Sequence, residues 1–226
     1  MTTSSITEYR VQGAIVLERL SGTTVPIGLK AYIAAFKKAH GDYEAAAAVT
    51  DAAREKRDLA LEAVGETDDT FDTGINLLAD KMVGAGLGTR KNPFADYSPH
   101  APSKLTELPY AEEPKAIRAL GVALTRKKPP ADVAKALAKS LKDAAGLEVA
   151  LNKLIKPQAA YSKALGDRDA LLPAWAKALG KLKKHAAAAW DDDVATYKAI
   201  FAPPGAIQAP KKKRAKKTAG KPIAPS

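Results

Sequence analysis

The chain has 226 residues and carries 36 Lys and Arg against 25 Asp and Glu, a net charge of +11, with no Cys, two Met, two Trp and three His. Without cysteine, disulfide scaffolds, zinc ribbons, thiol redox centres and Cys nucleophiles are excluded, and no apolar run approaches the roughly 20 residues a membrane span needs. Met1 to Arg10 lacks a basic start followed by an apolar core, so it is not read as a secretory signal. An intracellular protein is expected, cytoplasmic or nucleoid-associated in a bacterium and nuclear in a eukaryote.

In chain order, Ser5 to Leu20 reads as a helix. Ser5 and Glu8 fit a capping box, in which each side chain satisfies the other's backbone N–H, and Ile6, Tyr9, Gly13, Val16 and Leu20 follow helical spacing. Tyr9, Val11, Ile15 and Leu17 also fit a strand period, but nothing else in the chain supplies a partner strand. Residues 26–64 form the clearest element. Pro26 suits a first turn, Leu29, Phe36, Tyr43 and Val64 share one row, and Tyr32, Ala39, Ala46, Ala53 and Ala60 lie beside it. This predicts a long amphipathic, Ala-rich helix with Gly41 as a weak point and Gly65 as its end. Thr67, Asp68, Asp69 and Thr70 are then expected to cap the next helix, which carries Phe71, Ile75, Leu78 and Met82 and stops at Gly84, Gly86 and Gly88.

Five prolines break residues 88–114 into a long loop, where Phe94, Tyr97, Leu105, Leu108 and Tyr110 argue for packing. Helices resume at about 113–126, with Ile117, Leu120 and Leu124 on one side. After the basic turn Arg126-Lys127-Lys128-Pro129-Pro130, Val133, Leu137, Leu141 and Ala144 mark a helix interrupted by Gly146. Leu147, Leu151, Leu154 and Ile155 mark another, which meets Pro157 and runs on to Gly166. A last long helix is predicted from Asp167 or Arg168 to about Ile200, with a break at Asp191-Asp192-Asp193, where Asp191 would cap a fresh turn.

The fold class expected is all-α. Residues 1–202 form an antiparallel helical bundle with two long Ala-rich helices and several shorter ones. Residues 203–226 form a disordered tail of Lys, Pro and Ala, too poor in bulky apolar residues to offset the entropy of ordering.

Charge is distributed unevenly. Residues 1–100 hold 11 basic and 14 acidic side chains, residues 101–202 hold 18 and 11, and residues 203–226 hold seven and none. The tail cluster Lys211, Lys212, Lys213, Arg214, Lys216 and Lys217 suits a phosphate backbone, where neutralised phosphates release counterions and binding is sequence-independent. It also has the form of a monopartite nuclear-localisation signal. No aromatic residue interleaves with it, so base stacking is not expected. A second basic patch comprises Arg126, Lys127, Lys128, Lys135, Lys139 and Lys142, the last three on one helix face; a solvated surface is the plain alternative for it.

Other chemistry finds little support. None of His40, His100 and His185 has an acidic residue three positions upstream, so a di-iron arrangement is absent. His40 and His185 read as helix-surface residues, Asp191 to Asp193 as a solvated or capping run, and no metal or other cofactor is expected. Gly84-Ala85-Gly86-Leu87-Gly88-Thr89-Arg90-Lys91 lacks a P-loop ending and follows a helix, so it reads as a helix C-terminal cap. Glu112 and Glu113 precede Pro114 and read as helix N-terminal charge rather than as acid and base. There is no nucleophile elbow, and a non-enzymatic protein is expected.

The Lys/Ala/Pro composition of the tail is similar to the C-terminal tails of linker histones and of some bacterial nucleoid proteins. That resemblance spans about 20 residues and implies nucleic-acid anchoring or compaction. The partner expected is nucleic acid or another polyanion, with the bundle forming a homo-oligomer or holding a protein through apolar helix faces. The alternative is a structural, assembly or surface-coating protein in which the tail only solubilises; Ala-rich amphipathic helices with Lys-rich tails are similar in style to phasins.

Overall fold

The computed structural model describes residues 3–203. It is all-α, with no strand among the described residues. The helices are α1 (Thr3–Ser21), α2 (Lys30–Gly84), α3 (Pro102–Leu105), α4 (Glu113–Thr125), α5 (Ala131–Asp169), α6 (Leu172–Ala189) and α7 (Val194–Phe201), and a 3-10 turn at Ile27–Leu29 leads into α2. No described helix is long and apolar enough to cross a membrane. The predicted tail, including Lys211 to Lys217, lies outside the described residues.

The two longest helices are α2, of 55 residues, and α5, of 39. Both run through positions where the sequence suggests an end. Gly65 lies inside α2, and a Cβ there would meet nothing within 4 Å. A mid-helix glycine costs only about 1 kcal/mol, whereas each buried large apolar side chain contributes roughly 1.5–3 kcal/mol. Val64, Phe71, Ile75, Leu78 and Met82, one unbroken helical stripe, are all buried, so packing outweighs the glycine. Thr67, Thr70 and Thr73 do not cap a new helix. Their hydroxyls donate back to the carbonyls of Ala63, Glu66 and Asp69 within the same one. Likewise α5 passes Gly146, Pro157 and Gly166. Beyond Pro157 it is held to α2: Thr50 Oγ1 donates to Ala164 O at 3.1 Å, and the Arg57 guanidinium lies 4.2 Å from the centre of the Tyr161 ring.

The predicted last long helix is instead three segments. α5 ends at Asp169, α6 starts with Pro173 in its opening turn, and Asp191 to Asp193 do break the helix. The cap of α7 is Asp193, however, not Asp191: its carboxylate accepts from Thr196 N at 3.1 Å and from Thr196 Oγ1 at 2.6 Å. At the other end of the chain α1 begins at Thr3, which puts Ser5 inside the helix rather than at its cap.

The chain divides into two compact units, one formed by the described residues up to Glu44 together with those from Leu171 onward, the other by Ala45–Ala170. In the first, Val16, Leu20, Leu29, Phe36, Tyr43, Trp175, Leu182 and Ile200 belong to one core. His40 is buried there rather than on the surface. It stacks on Phe36, and its Nδ1 accepts a hydrogen bond from Trp175 Nε1 at 3.2 Å. Burial lowers its pKa, so the ring is neutral with its proton on Nε2. His185 stacks on Tyr32 with centroids 3.8 Å apart. Arg19 donates to the carbonyls of Ile200 and Ala202 and so ties the end of α7 to α1.

In the second unit the later part of α2, α4 and α5 surround a core containing Phe71, Ile75, Leu78, Phe94, Leu105, Ile117, Leu120, Leu124 and Leu147. The glycine-rich segment caps α2, as its sequence suggests. Gly86 adopts φ +71°, Leu87 N donates to Met82 O and Gly86 N to Val83 O, and Leu87 packs back on the core, the complete Schellman arrangement. The Pro-rich loop packs through Phe94 and Leu105, while Tyr110 is exposed. Close approach of α2 and α5 occurs at Gly74, whose carbonyl accepts from the buried Ser140 Oγ at 2.9 Å. Ser140→Ala is expected to lose about 1 kcal/mol in urea denaturation; an unchanged midpoint would mean that this hydrogen bond adds nothing to stability.

Candidate functional site

Two arrangements in the second unit carry unusual charge. One is the basic turn between α4 and α5. Lys127 N and Lys128 N donate to the carbonyls of Leu124 and Thr125, and Lys128 takes the left-handed φ of 50° before Pro129 and Pro130 reset the chain for α5. Arg126, Lys127 and Lys128 are thus brought together, exposed, on one turn, and Lys135, Lys139 and Lys142 are exposed along α5. Lys139 pairs with Asp143 at 2.6 Å. The other five have no ion pair with any described residue. Beside the turn is a shallow groove of about 500 Å³ lined by Arg118, Gly121, Val122, Thr125, Arg126 and Leu141. Arg118 on its rim is neutralised by Glu148, which leaves Arg126 as the uncompensated cation.

The other arrangement is acidic, and reading the sequence as helix caps hides it. Because α2 continues past Gly65, Asp68 and Asp72 stand four residues apart on one face of a continuous helix. The opening turn of α4 brings Glu113 to them, so that one carboxylate oxygen of each residue lies within 4.8 Å of the others. Asp68 and Asp72 are half-buried, and Glu113 is fully buried, at 0 % exposure. Asp68 Oδ1, Asp72 Oδ1 and both Glu113 oxygens are buried without a hydrogen-bond donor. Glu113 can bond to Asp68 only when one of the two carries a proton. Burial first, then the neighbouring Asp68 and Asp72, raise the Glu113 pKa to about 8. Burial, then Asp68 and Asp69, raise that of Asp72 to about 6. The N-terminus of α4 favours a carboxylate near it by roughly 0.3–1 kcal/mol, too little to reverse these shifts. Glu113 does stand in the first turn of α4, as the sequence suggests, but there it is buried against Asp68 and Asp72 rather than solvated. The signal available in the sequence was the Asp68/Asp72 spacing, masked by the assignment of residues 67–70 to a cap.

Comparison with protein-family models, curated proteins and solved structures finds no match to the chain. Function rests on the chemistry of these residues and of the tail.

Proposed function

We propose that this is a non-enzymatic helical protein that binds nucleic acid without sequence preference. The tail residues Lys211, Lys212, Lys213, Arg214, Lys216 and Lys217 act as a phosphate-binding arm, and the α4–α5 turn is a second contact. The observation that carries this reading is the unneutralised charge: seven basic and no acidic side chains over residues 203–226. The five unpaired cations Arg126, Lys127, Lys128, Lys135 and Lys142 support it, because a cation already held by a carboxylate has less to gain from a phosphate. A surface-coating role would require a continuous apolar face. Val49 and Leu59 on α2 are exposed, but Lys56 lies on the helix face between them.

Arg126→Gln, Lys127→Gln and Lys128→Gln combined test the turn. Its side chains are exposed, so stability is expected to hold. Affinity for mixed-sequence duplex DNA is expected to fall several-fold at moderate salt, and the slope of log K against log salt to flatten by up to about 3. Unchanged affinity and slope would remove the turn from the interface.

A further inference from the structure

We propose that Asp68, Asp72 and Glu113 form a binding site for a hard divalent cation of the size of Ca2+, joining α2 to the first turn of α4. The spacing of the three carboxylates is one part of the case. The second is Glu113 itself: a fully buried side chain with both oxygens unpartnered, directed at the two aspartates. Burying polar oxygens with no donor is costly, and among the described residues no Lys or Arg forms an ion pair with any of the three. A proton or a water can satisfy some of these oxygens, but only a cation also balances the charge of three carboxylates brought together.

Size and chemistry select the cation. Ca2+–oxygen bonds are about 2.3–2.6 Å, so ligand atoms no more than 4.8 Å apart can surround one such ion. Mg2+ demands near-ideal octahedral geometry at about 2.0–2.1 Å and usually keeps several waters, bound through one or two carboxylates, so three carboxylates from two helices suit the more adaptable Ca2+ better. Zn2+ prefers Cys and His; the chain has no Cys, and no His belongs to the cluster. Three carboxylates offer up to six oxygens, and the half-exposed sides of Asp68 and Asp72 admit water to complete the shell. A bound divalent ion offsets most of the negative charge of the three ionised carboxylates. It also fixes the entry of α4 against a helix distant in sequence.

The test uses the full chain stripped with EDTA and dialysed to pH 8. CaCl2 and MgCl2 are titrated calorimetrically, and thermal unfolding is followed at saturating ion. Saturable binding of one Ca2+ is expected, with a midpoint rise of about 5 °C, and Mg2+ should require higher concentration. Glu113→Gln keeps the shape and supplies a donor in place of the proton, and Asp72→Asn opens the site from α2. Each should lose the Ca2+-dependent rise, whereas Asp191→Asn, remote from the site in sequence, should keep it. Two results would overturn the site: no heat and no midpoint shift at about 5 mM Ca2+, above the roughly millimolar limit of the weakest biological Ca2+ sites, or a shift that survives in both Glu113→Gln and Asp72→Asn. Tighter binding of Mg2+ than of Ca2+ would overturn the size assignment.

Discussion

In the absence of divalent ions, Glu113→Gln is expected to match the parent chain in stability at about pH 4 and to exceed it at pH 8.5 by roughly 3–5 kcal/mol in urea denaturation. The sign follows from where the proton is held. In the unfolded chain Glu113 ionises near its ordinary 4.5, and in the fold only near about 8. Folding therefore favours the protonated acid. Its contribution is complete below pH 4.5 and is lost as pH rises toward 8. Glutamine stays neutral throughout and donates to Asp68 as the protonated acid does. Asp72, raised to about 6, adds a contribution of the same sign that is lost between 3.8 and 6. His40 acts in the opposite direction: burial lowers its pKa below 6.5, so its contribution is present above 6.5 and lost as pH falls through the lower folded value. It is common to both proteins and cancels in the comparison. Equal stability of variant and parent at pH 8.5 would show that Glu113 does not ionise against a penalty, and the reading of the cluster would be wrong.

Gly13→Ala is expected to destabilise the first unit by about 3 kcal/mol, lowering the thermal midpoint by roughly 6–12 °C. A Cβ at Gly13 would lie 2.3 Å from His40 Nδ1 and 2.4 Å from Cε1. The ring cannot retreat, because Phe36 stacks on it and Trp175 donates to the same nitrogen. The methyl group must therefore displace α1 or break the Trp175 hydrogen bond. Gly41→Ala is the contrasting control: it lies in α2 with nothing within 4 Å of its would-be Cβ, and should stabilise by about 0.4–1 kcal/mol. In a double-mutant cycle Gly13→Ala and His40→Ala should be strongly non-additive, since removing the ring removes the clash. A Gly13→Ala chain as stable as the parent would contradict this packing.

Much of the helical content is legible in the amino-acid pattern. Phe71, Ile75, Leu78 and Met82, the turn at Arg126 to Pro130, the break at Asp191 to Asp193 and the cap at Gly86 each announce themselves through spacing or backbone chemistry. Helix ends are less legible at Gly65, Gly146 and Gly166. There a local preference of about 1 kcal/mol competes with burial of Val64, Phe71, Leu147 and Ala164, which only the tertiary structure reveals. Pro157 is overruled in the same way, with Thr50 and Arg57 of α2 engaging α5 beyond it. The acidic cluster depends on that correction. If Gly65 ends a helix, Asp68 is a cap; if α2 continues, Asp68 and Asp72 share a face, and the third carboxylate comes from a residue more than 40 positions away. No local pattern encodes that meeting, nor the burial of His40 beneath Gly13. The charge asymmetry, by contrast, is a property of sequence alone, and the structure adds which cations at the α4–α5 turn remain uncompensated.

The central claim, a phosphate-binding tail on a helical body, is tested most directly by changing Lys211, Lys212, Lys213, Arg214, Lys216 and Lys217 together to Gln in the full chain. Binding of mixed-sequence duplex DNA is then measured for both proteins from about 50 to 300 mM salt. The parent chain is expected to bind with a steep negative dependence of log K on log salt, and the variant to lose most of its affinity and up to about 5 of that slope. Equal affinity and equal slope for the two proteins, or no binding by the parent at about 50 mM salt, would contradict the account.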